Sequence, residues 1–187
     1  MVRFAFRRRV VSSVFFAVSL FFAVLAQGVS AQPDIAPFVG SYEGSADLSM
    51  ADGTVQHRDM NVDIAPTEDG FSVRWTSVTY RTDGRTKEKS YEIDFVPSDR
   101  EGVFSAAQKT NVFGHSVQLD PMKGEPYVWA RIAGDTLTVY SLFVDSEGGY
   151  EMQQFDRSLT EGGLDLDFER LRNGERQRSV STFLERQ

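Results

Sequence analysis

Residues 125–159 read EPYVWARIAGDTLTVYSLFVDSEGGYEMQQFDRSL. Three runs rich in β-branched and aromatic residues are separated by Gly134-Asp135 and by Ser146-Glu147-Gly148-Gly149. Glycine reaches the positive φ that tight hairpins need, and a two-residue Gly-Asp link between such runs is a strong local hairpin signal. The links leave no room for a crossover helix. Neighbouring runs must therefore pair antiparallel.

The pattern continues on both sides. Upstream, Phe38, Gly40, Tyr42, Gly44, Ala46, Leu48 and Met50 alternate with Ser41, Glu43, Ser45, Asp47 and Ser49, the period of a strand with one buried face. The small residues on its inner face predict strong curvature or close approach of another element. Residues 54–65 form a second run, with Met60, Val62 and Ile64 inward. Phe71, Val73 and Trp75 open a third, which continues through Val78 and Tyr80. Tyr91, Ile93 and Phe95 define a fourth against Glu92 and Asp94. Residues 103–109 and 112–119 are short, irregular strand candidates, and residues 120–126 make a loop stiffened by Pro121 and Pro126. Downstream, Leu164, Leu166 and Phe168 alternate with Asp165, Asp167 and Glu169. Asn173-Gly174 has the composition of a type I′ turn, and Val180, Thr182 and Leu184 oppose Ser179, Ser181 and Phe183. Turn signals every 10 to 17 residues describe a meander of nine to eleven strands. Closure into an all-β, up-and-down antiparallel barrel of about 8–10 strands removes the exposed edges such a sheet would carry.

The first of these runs carries Gly40-Ser41-Tyr42, and with the serial hairpins the chain resembles the calycin group, the lipocalins and fatty-acid-binding-like barrels. That family has Trp where Tyr42 stands, packed under an arginine of a late strand. Arg178 and Arg186 are the candidates for that partner. The resemblance implies a closed barrel with a central ligand pocket and transfers no catalytic residue.

The N-terminus reads as an address. Arg3, Arg7, Arg8 and Arg9 precede an apolar stretch, residues 10–26, and Val29-Ser30-Ala31 supplies small residues for cleavage after Ala31. This is the pattern of a secretory signal peptide, and it predicts a periplasmic or secreted protein. Ser12, Ser13 and Ser19 dilute the stretch below the roughly 20 apolar residues of a membrane span. The expected organisation is residues 1–31 as signal and residues 32–187 as one barrel domain. Removing the four arginines takes the net charge from −7 to −11. Such a charge opposes binding to nucleic acid or to an anionic membrane surface. The chain has no cysteine, which excludes disulfides, thiol catalysis and thiolate metal sites.

Candidate site residues follow from the pattern. Tyr42, Trp75, Tyr91, Phe95, Trp129, Tyr140 and Met152 are the large side chains placed to line a pocket, since small-molecule sites are mostly apolar. Arg131 shares a strand face with Tyr127 and Trp129. If that face is inward, its guanidinium needs a carboxylate or an anionic ligand, and Asp156 is the candidate mate for Arg131 or Arg170. Phe113, His115 and Met122 are expected at the rim, with Phe113 or Met122 folded over the mouth. His57 sits among polar residues and reads as solvated. Two histidines without cysteine argue against zinc. The acidic turns at 52, 69 and 83 lack calcium-loop spacing, and no phosphate loop, dinucleotide fingerprint or Gly-x-Ser-x-Gly is present. Neither metal nor cofactor is expected.

The expected function is the binding of a small hydrophobic or amphipathic ligand. Two alternatives stand beside it. One is an envelope structural or interaction protein with a filled barrel. The other is a barrel lyase or isomerase using Tyr91, Arg131 and Asp156, which requires all three to reach one substrate atom.

Overall fold

The computed structural model describes residues 33–49, 54–81, 83–107, 109–110, 116–117 and 119–187. Residues 1–31, where a signal segment is expected, and Met50, Phe113 and His115 lie outside the described residues. A 3₁₀ turn, Ala36–Phe38, leads into β1 (Gly40–Ser49), β2 (Val55–Pro66), β3 (Phe71–Tyr80), β4 (Thr86–Pro97) and the short β5 (Val103–Ala106). Two two-residue strands follow, β6 (Lys109–Thr110) and β7 (Ser116–Val117), and then a second 3₁₀ turn, Pro121–Lys123. The chain finishes with β8 (Tyr127–Ala133), β9 (Thr136–Val144), β10 (Tyr150–Thr160), β11 (Gly163–Arg172) and β12 (Glu175–Arg186). Ten strands close in the order β1-β12-β11-β10-β9-β8-β5-β4-β3-β2, every pair antiparallel, while β6 and β7 pair only with each other. The all-β, up-and-down closed barrel expected from the sequence is therefore the fold.

The predicted turns do their work. Gly134 takes φ 57° in the link between β8 and β9, which pair from Ala133↔Thr136 to Tyr127↔Leu142. Asn173 and Gly174 take φ 51° and 84° between β11 and β12, the positive pair of a type I′ turn. Asn173 Oδ1 also accepts from the Tyr150 amide at 2.8 Å, tying this turn to the start of β10.

The barrel closes at one end by packing. Phe38, Tyr42, Ile64, Phe71, Phe95, Leu137, Leu164 and Leu184 are all at most 2% exposed. Phe71 stacks on Phe95 with ring centroids at 5.2 Å and meets Phe104 edge-on at 5.0 Å. The lead before β1 is part of this plug rather than a free arm. Ile35 packs against the core, and Phe38, expected to begin the first strand, ends the 3₁₀ turn as a buried stopper. The Tyr42 hydroxyl donates to the Phe38 carbonyl at 2.7 Å. Arg186 lies over the Tyr42 ring at 5.2 Å, and its Nη2 donates to the Tyr42 hydroxyl at 2.6 Å and to the Pro37 carbonyl at 2.8 Å. Of the two late arginines considered as the partner of Tyr42, Arg186 is the one that packs there.

The seam between first and last strands is short, with Tyr42↔Arg186 and Glu43↔Glu185 as its ladder pairs. Gly44 shows why β12 comes so near: a β-carbon there would stand 2.4 Å from the Phe183 carbonyl oxygen and 2.8 Å from a Leu184 methyl. The small residues read on the inner face of β1 thus serve close approach.

Candidate functional site

Among the described residues, the opposite end is open. A cavity of about 520 Å³ runs inward from the mouth formed by the end of β3, the starts of β2, β4 and β12, and the end of β11. The antiparallel registers place its lining in three levels. At the floor, Arg157 on β10 lies opposite Leu166 on β11, and Val62 on β2 lies opposite Trp75 on β3. Tyr91 on β4 lies opposite Trp75 at the same level. Above come Met60, Phe155, Phe168 and Val180. At the mouth stand six cations, Arg58, Arg81, Lys87, Lys89, Arg170 and Arg178. Aromatic rings make a continuous row that crosses the interior from β4 and β3 to β10 and β11. Tyr91 stacks on Trp75 at 5.3 Å, Trp75 meets Phe155 at 5.5 Å, and Phe155 meets Phe168 at 4.7 Å.

Arg157 is the unusual member. It is 1% exposed, and its Nε and Nη1 have no hydrogen-bond partner. Its guanidinium sits 5.8 Å from the Trp75 ring centre and 5.5 Å from that of Phe155. These contacts offset part of its desolvation. Burial lowers its pKa to about 10, against a smaller raising effect of Asp156, so it remains charged at neutral pH.

Among the described residues, the mouth cations have few acidic neighbours. Asp83 is engaged by Arg85, whose Nε donates to it at 2.8 Å, and Glu151 stands 3.9 Å from Arg170. Arg58 donates to the Thr79 hydroxyl at 3.0 Å. Its pKa is lowered, first by burial and then by the charge of Arg178.

Among the residues expected at the site, Trp75 and Tyr91 line the cavity, Tyr91 at its edge and 48% exposed. Tyr42 and Phe95 are buried in the closed end. Trp129, Arg131, Tyr140 and Met152 do not line the interior. On β8 the buried set is Val128, Ala130 and Ile132, which turns Tyr127, Trp129 and Arg131 outward. Register carries the same outer face to Tyr140 on β9 and to Met152, Gln154 and Asp156 on β10. Trp129 and Tyr140 stack there at 4.8 Å. Asp156 accepts from the Thr138 hydroxyl at 2.6 Å and from Gln154 Nε2 at 2.7 Å, so its bonds go to neither Arg131 nor Arg170. Tyr91, Arg131 and Asp156 therefore lie on opposite faces of the sheet and cannot meet one substrate atom. Met122 is 78% exposed on the 3₁₀ turn beside β9 and covers no part of the cavity.

The buried arginine is thus Arg157, not Arg131. The sequence signal for it is the alternation Phe155, Arg157, Leu159, apolar on both sides of one cation. Its neighbours Gln154 and Asp156 offered a rival phase, and a one-residue change of phase exchanges the two faces.

No protein-family model matches the chain, and no curated protein sequence matches it. Fold and cavity define its class: a closed, ten-stranded antiparallel β-barrel packed solid at one end and hollow at the other.

Proposed function

We propose that this is an exported, lipocalin-like barrel that binds a small amphipathic ligand in its open half. The observation that carries this is the cavity of about 520 Å³, within the few hundred to roughly 1,000 Å³ of small-molecule sites. Trp75, Tyr91, Phe155 and Phe168 give it an aromatic surface, and polar and cationic side chains gather toward its mouth, a combination suited to an amphipathic ligand. A barrel serving only as a structural element has no need of a half-empty interior. The ten-strand closure and the arginine stacked on Tyr42 support kinship with fatty-acid-binding-like barrels. Export accords with the basic and apolar leader.

The test uses a neutral, environment-sensitive naphthylamine dye titrated into the purified protein. Saturation at one equivalent, with quenching of Trp75 fluorescence and loss of both signals in Trp75→Ala, is the expected result. Absence of saturable binding by a protein with intact β-sheet circular dichroism would overturn the proposal. Mass spectrometry of the protein from the extracellular or periplasmic fraction should find Gln32 at its N-terminus.

A further inference from the structure

We propose that the ligand is acidic at both ends, one acid group seated against Arg157 at the cavity floor and the other held between Arg58 and Arg178 at its mouth. This rests on the ligand-binding role proposed above and specifies its chemistry.

The floor comes first. A guanidinium removed from water costs several kcal/mol unless oxygen acceptors replace the lost hydration. Arg157 has lost that hydration, and its Nε and Nη1 are unmatched. The groups around it are ring faces, which attract a cation but accept no N–H bond in the guanidinium plane. Asp156 lies on the other side of β10 and is already bonded to Thr138 and Gln154. A carboxylate, or another anion with two oxygens, entering from the cavity would complete the fork bidentately.

The mouth is a second, separate cationic centre. Arg58 and Arg178 both line it, and the charge of one disfavours the charge of the other. An anion between them removes that repulsion. Arg81, Lys87 and Lys89 add the same sign, in a chain whose net charge is −7. Positive charge gathered around one opening of an acidic protein draws anions to that opening.

Between the two centres Met60, Phe155, Phe168 and Val180 supply apolar surface, with Ser77 beside Met60. On β11 the floor level is Leu166 and the mouth level Arg170, four residues on, or ~13 Å at a strand's rise per residue. A ligand matching both centres is therefore an apolar body of about that length with an acid group at each end. A monoacid leaves the mouth uncompensated, and a neutral amphiphile leaves both.

Isothermal titration calorimetry with dodecanol, laurate and dodecanedioate separates the possibilities. The expected order is dodecanedioate tighter than laurate, and laurate tighter than dodecanol, by roughly tenfold at each step, the size of one charge-assisted hydrogen-bond set. Arg157→Met should erase the advantage of laurate over dodecanol, and Arg157→Lys should keep part of it. Arg58→Gln with Arg178→Gln should bring dodecanedioate down to laurate while lowering laurate itself far less. These two positions are at the mouth, so this variant stays informative if Arg157→Met does not fold. Equal affinity for all three compounds would overturn the inference and leave the cavity's ligand-binding role standing. Laurate preferred, with dodecanedioate no tighter, would overturn the two-ended claim. No binding of any of the three would bring down the ligand-binding proposal itself.

Discussion

Arg157 carries a conflict that stability measurements can read. In the ligand-free protein it is a buried charge with unmatched donors, and replacing buried ionic groups with apolar ones of similar volume is often stabilising. Arg157→Met should therefore raise ligand-free stability by about 1–4 kcal/mol in urea unfolding. A destabilised variant would mean that contact with Trp75 and Phe155 already satisfies the guanidinium. His57 offers a second residue-scale prediction. It is exposed, with Nδ1 2.8 Å from Asp47 and Nε2 3.1 Å from Asp59, and Tyr80 donates to Asp59 at 2.7 Å. Its pKa is raised, chiefly by the hydrogen bond to Asp47, against a smaller lowering by desolvation. A group whose folded pKa exceeds its unfolded value stabilises fully below the latter, about 6.5 for histidine. That contribution disappears as pH rises through the folded value. NMR titration should place the His57 midpoint above 6.5, and His57→Gln should flatten stability against pH in that window. A midpoint at or below 6.5 would refute the pairing.

Among the elements, the β1–β12 seam and the β11–β12 turn bear the strictest local demands. Gly44→Val would drive a side chain into the Phe183 carbonyl and Leu184. Backbone cannot yield there without opening the seam, so a loss of about 1–3 kcal/mol is expected. Thermal denaturation would reveal it, and an unchanged midpoint would show that the seam is loose. Asn173 is the one non-glycine residue with positive φ among the described residues. A β-branched side chain costs about 1–2 kcal/mol in that region, so Asn173→Val should destabilise by at least that much, and Asn173→Gly far less. These demands were legible beforehand. Asn-Gly announces its turn type locally, and the run of small residues on β1 announces close approach. The structure added the object approached, β12, some 140 residues later in the chain.

For the whole molecule the asymmetry between its two ends is the property to test. The closed end holds Phe38, Phe71, Phe95 and Tyr42 in one packed cluster, so hydrogen exchange should be slowest where β1, β3 and β9 begin and where β2 and β4 end. The opposite halves of these strands should open at lower free energy. Tyr42→Phe removes the bond to the Phe38 carbonyl and one acceptor of Arg186. It should cost about 1–3 kcal/mol and leave binding at the open end unaltered. The sequence by itself determined the strands, their hairpins and the closure of the sheet, because period-2 alternation and turn chemistry act over a few residues. It also marked Trp75 and Tyr91 for the interior, since on β3 and β4 one face is apolar and the other polar. Tertiary structure alone decided the phase of β8, β9 and β10. Their two faces are nearly equal in apolarity, Val128, Ala130 and Ile132 against Tyr127 and Trp129, so alternation cannot rank them. On β8 and β9 the inward faces carry small and branched side chains while Trp129 and Tyr140 stack outside, and β10 follows by register with Phe155 and Arg157 inside. That choice of phase is what buries Arg157 and leaves Arg131 in water.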